Sequence, residues 1–315
     1  MIVVTGGAGF IGSNIVAELN ARGRDDIVVV DDLTDGRKFA NLVSLRFEEY
    51  IDKDDFRERI RTGSFENPDA VIHQGACTTT TEWDGRYMMD VNYRYSIELL
   101  EYCLRAEVAL IYASSAAVYG ASTEFREDDP ALEQPLNVYG YSKLLFDQTV
   151  RRAIPSARSQ IVGLRYFNVY GPGERFKGQM ASVALHLHEQ LLEGDEVRLF
   201  TGSHGYGPGE QRRDFVYVAD IARVNAWLLE HPECSGIFNA GTGASASFNE
   251  VAQAVIDWHG RGEIRYIDFP EGLAERYQSY TQADMHGLRA AGFDAPFADV
   301  ATGVRDYLDR IGGPA

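Results

Sequence analysis

The chain has 315 residues, 45% of them hydrophobic, with 47 acidic against 30 basic side chains and a net charge of −17. This length suits one large or two modest domains with an ample core, and the charge argues against a nucleic-acid binder, which needs clustered positive charge. No apolar run approaches the roughly 20 residues that cross a bilayer, and Cys77, Cys103 and Cys234 form neither a disulfide framework nor a metal spacing, so they read as free thiols in a cytoplasmic protein.

Met1 leads directly into Ile2–Thr5, a buried-strand pattern with no basic leader. Ile11–Arg22 has helical spacing and ends near Gly23. Ile27–Val30, Ala70–His73, Ala109–Ala113 and Gln160–Arg165 read as further strands, with helices at Val91–Ala106 and from about Tyr139 to Ala153. Strands alternating with helices predict an α/β, Rossmann-type doubly wound parallel sheet. After about Phe167 the texture changes. A helix over Met180–Leu192, a glycine-rich loop over Gly202–Gly209, a strand over Arg213–Val218, a helix over Asp220–Glu230 capped by Asp220 and a strand over Gly236–Ala240 are predicted. Phe269–Thr281 has no clear period. The division expected is a dinucleotide domain of residues 1–168 plus about 214–240, interleaved with a smaller substrate-binding lobe of 169–213 and about 241–315.

Gly7-Ala8-Gly9-Phe10-Ile11-Gly12 satisfies G-x-G-x-x-G between a strand and a helix, and Gly6, Gly9 and Gly12 repeat the spacing. Glycine lets the backbone turn tightly and approach a pyrophosphate, which rests on the helix N-terminus. Asp31 follows Gly12 by 19 residues at the end of the second strand, where an acid takes the adenosine ribose. Asp31 and Asp32 favour NAD, whereas Arg37, Lys38 and Lys53 could pair with the 2′-phosphate of NADP, and the residues alone leave the two open. Gln74, Gly75, Ala76, Cys77 and Thr78 follow the strand ending at His73, the position of a cofactor crevice, and Asn92 could support that loop.

Tyr139 and Lys143 stand four residues apart, on one face of a helix. A nearby ammonium favours phenolate, which suits the tyrosine to exchange the proton of a carbinol. Ser115, in Ser114-Ser115-Ala116-Ala117-Val118-Tyr119-Gly120, could hydrogen-bond the same hydroxyl. Its plain alternative is a turn serine.

Thr5–Gly12, Ser114–Gly120, Tyr139–Lys143 and Arg213–Asp220 together resemble the extended short-chain dehydrogenase/reductase family of nucleotide-sugar enzymes, over essentially the whole chain. Thr81–Asp90, Arg165–Pro172 and Lys177–Ser182 further resemble its epimerases that invert C6 of an ADP-linked heptose and so serve lipopolysaccharide inner-core synthesis. The resemblance implies tightly held NADP, a 6-keto intermediate, and two proton-exchanging groups, Tyr139 and Lys177. It implies Phe10, Ile11, Lys143, Val169 and Lys177 at the cofactor. Ser115, Asn168, Gln179, His186, Phe200, Thr201, Gly202, Ser203, Arg213 and Tyr277 are implied at the substrate, and a homo-oligomer, a pentamer, is implied for the assembly. Gln179 stands where a serine is expected, and the loop Ser203–Glu210 is longer than expected. The rival within the family is a UDP-hexose 4-epimerase using NAD. A dehydratase is disfavoured because Ala116 and Ala117 cannot move protons, and a non-catalytic dinucleotide sensor because Tyr139 and Lys143 are both present.

Overall fold

The computed structural model describes residues 1–270 and 278–312. Its centre is a seven-stranded parallel sheet in the order β11-β6-β5-β4-β1-β2-β3. The strands are β1 (Ile2–Thr5), β2 (Ile27–Asp31), β3 (Glu49–Asp52), β4 (Ala70–His73), β5 (Ala109–Ser115), β6 (Ile161–Tyr166) and β11 (Gly236–Ala240). Register pairs Thr5 with His73, and Ser114 with Arg165, so the carboxyl ends of the inner strands open along one edge. The order of strands reverses at β1, where β2 and β4 lie on its two sides. That is the switch point at which open α/β sheets bind ligands.

Both faces are covered, as continuous apolar strands require. Ile2 and Val4 point to one face, with Ile15, Val16 and Leu19 of α1 (Phe10–Ala21) and Ala222 and Ala226 of α7 (Val218–Glu230). Val3 points to the other face, with Phe56 and Ile60 of α2 (Lys53–Thr62), Leu99 and Cys103 of α4 (Tyr95–Ala106) and Phe146 and Val150 of α5 (Val138–Ala153). Each fully buried aliphatic side chain contributes about 1.5–3 kcal/mol. The helix expected over Val91–Ala106 is joined to a short α3 (Gly85–Met88) through a π-helical turn at Met89–Arg94.

A second core forms around α6 (Val183–Glu193), α8 (Phe248–His259) and α10 (Val300–Gly312). Three two-stranded pairs frame it. They are β7 (Asn168–Tyr170) with β10 (Phe215–Tyr217), β8 (Glu196–Phe200) with β13 (Glu263–Ile267), and β9 (Arg212–Arg213) with β12 (Ala246–Ser247). The strand predicted over Arg213–Val218 is thus split between β9 and β10. Asp220 is not the N-cap of the helix after it: that helix begins two residues earlier, at Val218, with Tyr217 as its cap. Asp220 instead sits in the first turn, pairs with Arg223 and accepts from the Ala298 N–H at 2.8 Å. A short helix, α9 (His286–Ala290), packs beside β11.

Candidate active site

Between β1 and α1 the backbone folds into a cradle only glycine fits. Gly6 has φ +66°, and a Cβ there would meet Gly75 N at 2.6 Å. A Cβ on Gly12 would fall 2.1 Å from the Gly6 carbonyl oxygen. The free N–H groups of α1 therefore open onto a cleft of about 410 Å³. Gly6, Gly9, Phe10, Ile11, Gly12, Asp31, Asp32, Lys38, Lys53, Gln74, Gly75, Ala76, Cys77, Thr78 and Lys177 line it. The Gln74 amide lies beside the Tyr166 hydroxyl, yet neither of its polar atoms completes a hydrogen bond and both are buried. A buried amide left so costs about 1–3 kcal/mol, which a polar ligand in the cleft would relieve. Cradle, helix terminus and orphaned amide together fit a dinucleotide.

At the far end, Asp31 accepts from the Ala8 N–H at 2.8 Å and from Lys38 Nζ at 2.6 Å. Lys53 Nζ lies 2.5 Å from Asp32, whose carboxyl is held well below the usual range by that pair. Arg37 turns away and pairs with Asp35 on the surface. Asn92, buried in the π-helical turn, clamps the loop after β4: it accepts from Cys77 N at 2.8 Å and donates to Cys77 O at 2.9 Å. Neither Asn92 nor Val169 lines the cleft; Val169 lies on β7 between two of the cores.

Asn137 caps α5, its side chain accepting from Gly140 N at 2.8 Å, and this sets where Tyr139 and Lys143 emerge. Lys143 is buried and donates to the Ala113 carbonyl oxygen at 2.9 Å. Burial pulls its ammonium down to about 8, and Asp147 partly offsets this. Burial pushes the Tyr139 phenol above its ordinary value, while a hydrogen bond from the Ser115 hydroxyl draws it back. The net shift of Tyr139 is therefore upward, where the sequence argument gave a downward one. The spacing located the cation but carried no measure of desolvation. Ser115 also accepts from Ala117 N at 3.1 Å. Ser115, Tyr139 and Lys143 do not themselves line the cleft; Cys77 in its wall lies near enough to act electrostatically on both Tyr139 and Lys143.

Lys177 arrives from the loop after β7. That loop is laid on the glycine turn by two asparagines: Asn14 donates to Pro172 O at 2.8 Å, and Asn41 to Gly173 O at 3.1 Å. Glu174, fully buried, gathers the loop by accepting from Ser182 N at 2.7 Å and Ser182 Oγ at 2.6 Å. Lys177 Nζ then rests 5.3 Å from the Phe10 ring centroid, and burial lowers its pKa against the opposing charge of Glu174.

The expected substrate positions are less concentrated. Asn168 accepts from Thr281 Oγ at 3.3 Å. Arg213 is buried, with its guanidinium 5.7 Å from the Phe248 ring centroid and one N–H donating to Arg212 O at 3.0 Å. Phe200 stacks on Phe269 at 4.5 Å. Gln211 draws the next residues together, donating to Thr201 O at 3.0 Å and Ser203 Oγ at 3.2 Å, while a Cβ on Gly202 would meet Tyr206 O at 2.1 Å. Gln179 is exposed, and His186 stands partly exposed on α6, 3.9 Å from Glu189. Tyr277 lies outside the described residues. Ser203–Glu210 forms a turn-rich loop, closed by the bond from Gly209 N to Phe200 O at 3.1 Å.

Sequence reasoning missed Thr5, Val30, Tyr87, Val91 and Tyr95 in the cleft wall. Tyr87 had a signal, since it falls inside the Thr81–Asp90 run. The organising roles of Glu174 and Gln211 had none, because each acts through contacts distant in sequence or through backbone.

Residues 2–241 match the NAD dependent epimerase/dehydratase family. The chain is 59% identical over 312 residues to the ADP-L-glycero-D-manno-heptose-6-epimerase of Alkalilimnicola ehrlichii, covering 99% of this chain and 97% of that one. The crystal structure of the Helicobacter pylori ADP-L-glycero-D-manno-heptose-6-epimerase is 32% identical with a TM-score of 0.85, covering 99% of this chain and 96% of that chain. The Thermus thermophilus UDP-glucose 4-epimerase, in complex with NAD, is 30% identical with a TM-score of 0.80, covering 100% and 99%.

Proposed function

The chain belongs to the NAD dependent epimerase/dehydratase family, and we propose that it inverts C6 of the heptose in ADP-D-glycero-D-manno-heptose to give ADP-L-glycero-D-manno-heptose. The observation that carries this reading is Lys177, a lysine with a lowered pKa in the wall of the dinucleotide cleft, supplied by a segment other than the one bearing Tyr139. Two epimers present their C6 hydroxyl on opposite sides of the carbon. A protein that interconverts them needs a proton-exchanging group for each.

In this reading Tyr139, aligned by Ser115, takes the hydroxyl proton of one epimer as C6 loses hydride. The 6-keto sugar turns in place, hydride returns to its other face, and Lys177 gives the oxygen its proton. The same steps run in reverse, and no net oxidation occurs. A bound nicotinamide dinucleotide supplies the hydride acceptor and donor. The glycine cradle and the Asn92-clamped loop would hold it, Lys143 would donate to its nicotinamide ribose, and Phe10 and Ile11 would pack against it, with Val169 on β7 beyond the cleft wall. We infer NADP, because Lys38 and Lys53 bring two ammonium groups to the ribose end beside Asp31 and Asp32.

Residues 169–213 and about 241–315 are taken as the substrate lobe. Arg213, Asn168, Gln179, His186, Phe200–Ser203 and Tyr277 are its contacts, with the planar fork of Arg213 suited to the diphosphate. The protein is read as a cytoplasmic homo-oligomer, a pentamer, that supplies the heptose donor for the lipopolysaccharide inner core. Offering ADP-D-glycero-D-manno-heptose and UDP-glucose side by side tests the reading. Turnover of the first alone supports it; turnover of UDP-glucose alone replaces it with a hexose 4-epimerase.

A further inference from the structure

We propose that Asp147 is a positioning residue for the Tyr139–Lys143 pair: it supplies the counter-charge behind Lys143 and locks α5 in register on the end of β5. The inference rests on the reading of the pair given above.

The geometry is a run of three matched contacts. Tyr139, Lys143 and Asp147 fall at successive four-residue steps on α5, so they share one face. Ala113, Ser114 and Ser115 are consecutive on β5. Lys143 Nζ donates to Ala113 O at 2.9 Å, Ser114 Oγ donates to Asp147 at 2.9 Å, and the Ser115 hydroxyl meets Tyr139. Asp147 is thus the third tooth of the set that seats the reacting tyrosine.

Its carboxylate is fully buried and held from behind. Tyr112 donates to it at 2.8 Å, and Arg165, also fully buried, at 2.9 Å. Arg165 is itself shared with Glu133, which Arg151 pairs with at 2.5 Å, and it lies 4.8 Å from the Tyr119 ring centroid. An ion cluster of this depth is costly to assemble and stabilises little by itself. Its use here is to fix one carboxylate on the Lys143 face of α5, one helical turn beyond the lysine, where its field opposes the loss of the lysine's charge on burial. The other titratable groups acting on Lys143 are His73 from β4 and Cys77 from the following loop, with Tyr139 one turn before it on the same face of α5. Those facing Asp147 are Tyr112, Arg165 and Arg151. Among them, Asp147 and Cys77 raise the Lys143 pKa against burial.

The test is the pH profile of kcat/KM for the full-length protein on ADP-heptose, for wild type, Asp147→Asn and Asp147→Glu. Loss of the charge is expected to move the alkaline limb to lower pH, because the Asp147 carboxylate raises the Lys143 pKa against burial. Asp147→Glu is expected to hold the limb at the wild-type pH with a reduced kcat. A limb that stays in place in Asp147→Asn, with only kcat or thermal stability lowered, overturns the proposal and leaves Asp147 a structural residue. Should Asp147→Asn fail to fold, Asp147→Asn with Arg165→Met also removes the buried cation that would keep only Glu133 as its partner, and is judged by the same limb. A wild-type protein inert on ADP-heptose would overturn the reading beneath, not the role of Asp147.

Discussion

Lys177 Nζ lies 5.3 Å from the centroid of the Phe10 ring, so the lysine of the loop after β7 rests on the first residue of the cofactor helix. Two asparagine contacts, from Asn14 and Asn41, hold that loop there. Replacing Lys177 by Met keeps the packing and removes the proton. Epimerisation is expected to fall by about 10²- to 10⁴-fold, the span of a general acid–base contribution, with the melting temperature and bound nucleotide unchanged. Full activity in this variant would remove Lys177 from the mechanism.

Tyr139→Phe keeps the ring and deletes the phenol. Turnover is expected to drop over the same range of about 10²- to 10⁴-fold, in both directions of the reaction. The nucleotide released on denaturation should match that of the wild type in amount, because no hydrogen bond from the Tyr139 hydroxyl to the glycine cradle holds the cofactor in this account.

Gly12→Ala asks whether the cradle is as tight as it looks. The new Cβ would fall 2.1 Å from Gly6 O and 2.7 Å from Gly6 C, both backbone atoms that cannot move alone. Overpacking of this kind costs about 1–3 kcal/mol. The protein is expected to purify with little nucleotide and a lower melting temperature. A variant that retains its nucleotide would show that the turn relaxes freely.

The Asp31–Lys38 and Asp32–Lys53 pairs are expected to set cofactor choice. Charge-assisted hydrogen bonds are worth about 1.5–3 kcal/mol. Lys38→Ala with Lys53→Ala should therefore weaken NADP by about tenfold or more relative to NAD, read as the ratio of the two dissociation constants. An unchanged ratio would place the discriminating group elsewhere.

His73 predicts an acid limit to stability. It is fully enclosed between Thr5 Oγ, 2.6 Å from Nδ1, and Ser96 Oγ, 2.9 Å from Nε2, and burial pushes its pKa down from 6.5 to about 3. The unfolded chain protonates first as pH falls, so its stability contribution is whole above pH 6.5 and is lost progressively toward pH 3. At pH 5 the loss from this group is about 2 kcal/mol. His73→Gln should narrow the gap in melting temperature between pH 7 and pH 5. A gap that persists assigns the acid sensitivity to other groups.

Much of this architecture was legible because its signals are local. The strand Ile2–Thr5, the glycine spacing and the four-residue step from Tyr139 to Lys143 each lie within one short segment, and the structure keeps all three. The second strand gained Asp31 and the fifth gained Ser114 and Ser115, because pairing with neighbours extends a strand past its apolar run. Glu49–Asp52 carries no strand signal in the sequence: it is an edge strand with one buried residue and no apolar run. Asp220 reads as a cap in the sequence because a carboxylate suits the first turn of a helix as well as its cap. The direction of the Tyr139 shift is illegible in the sequence for a different reason. Desolvation depends on everything packed around the ring, and spacing does not record that.

The most direct measurement follows ADP-D-glycero-D-manno-heptose by proton NMR with the purified protein and no added cofactor, then identifies the nucleotide released on denaturation. Conversion to the L-glycero epimer, with NADP released, is expected. An unchanged heptose, with NAD released and UDP-glucose converted to UDP-galactose, would contradict it.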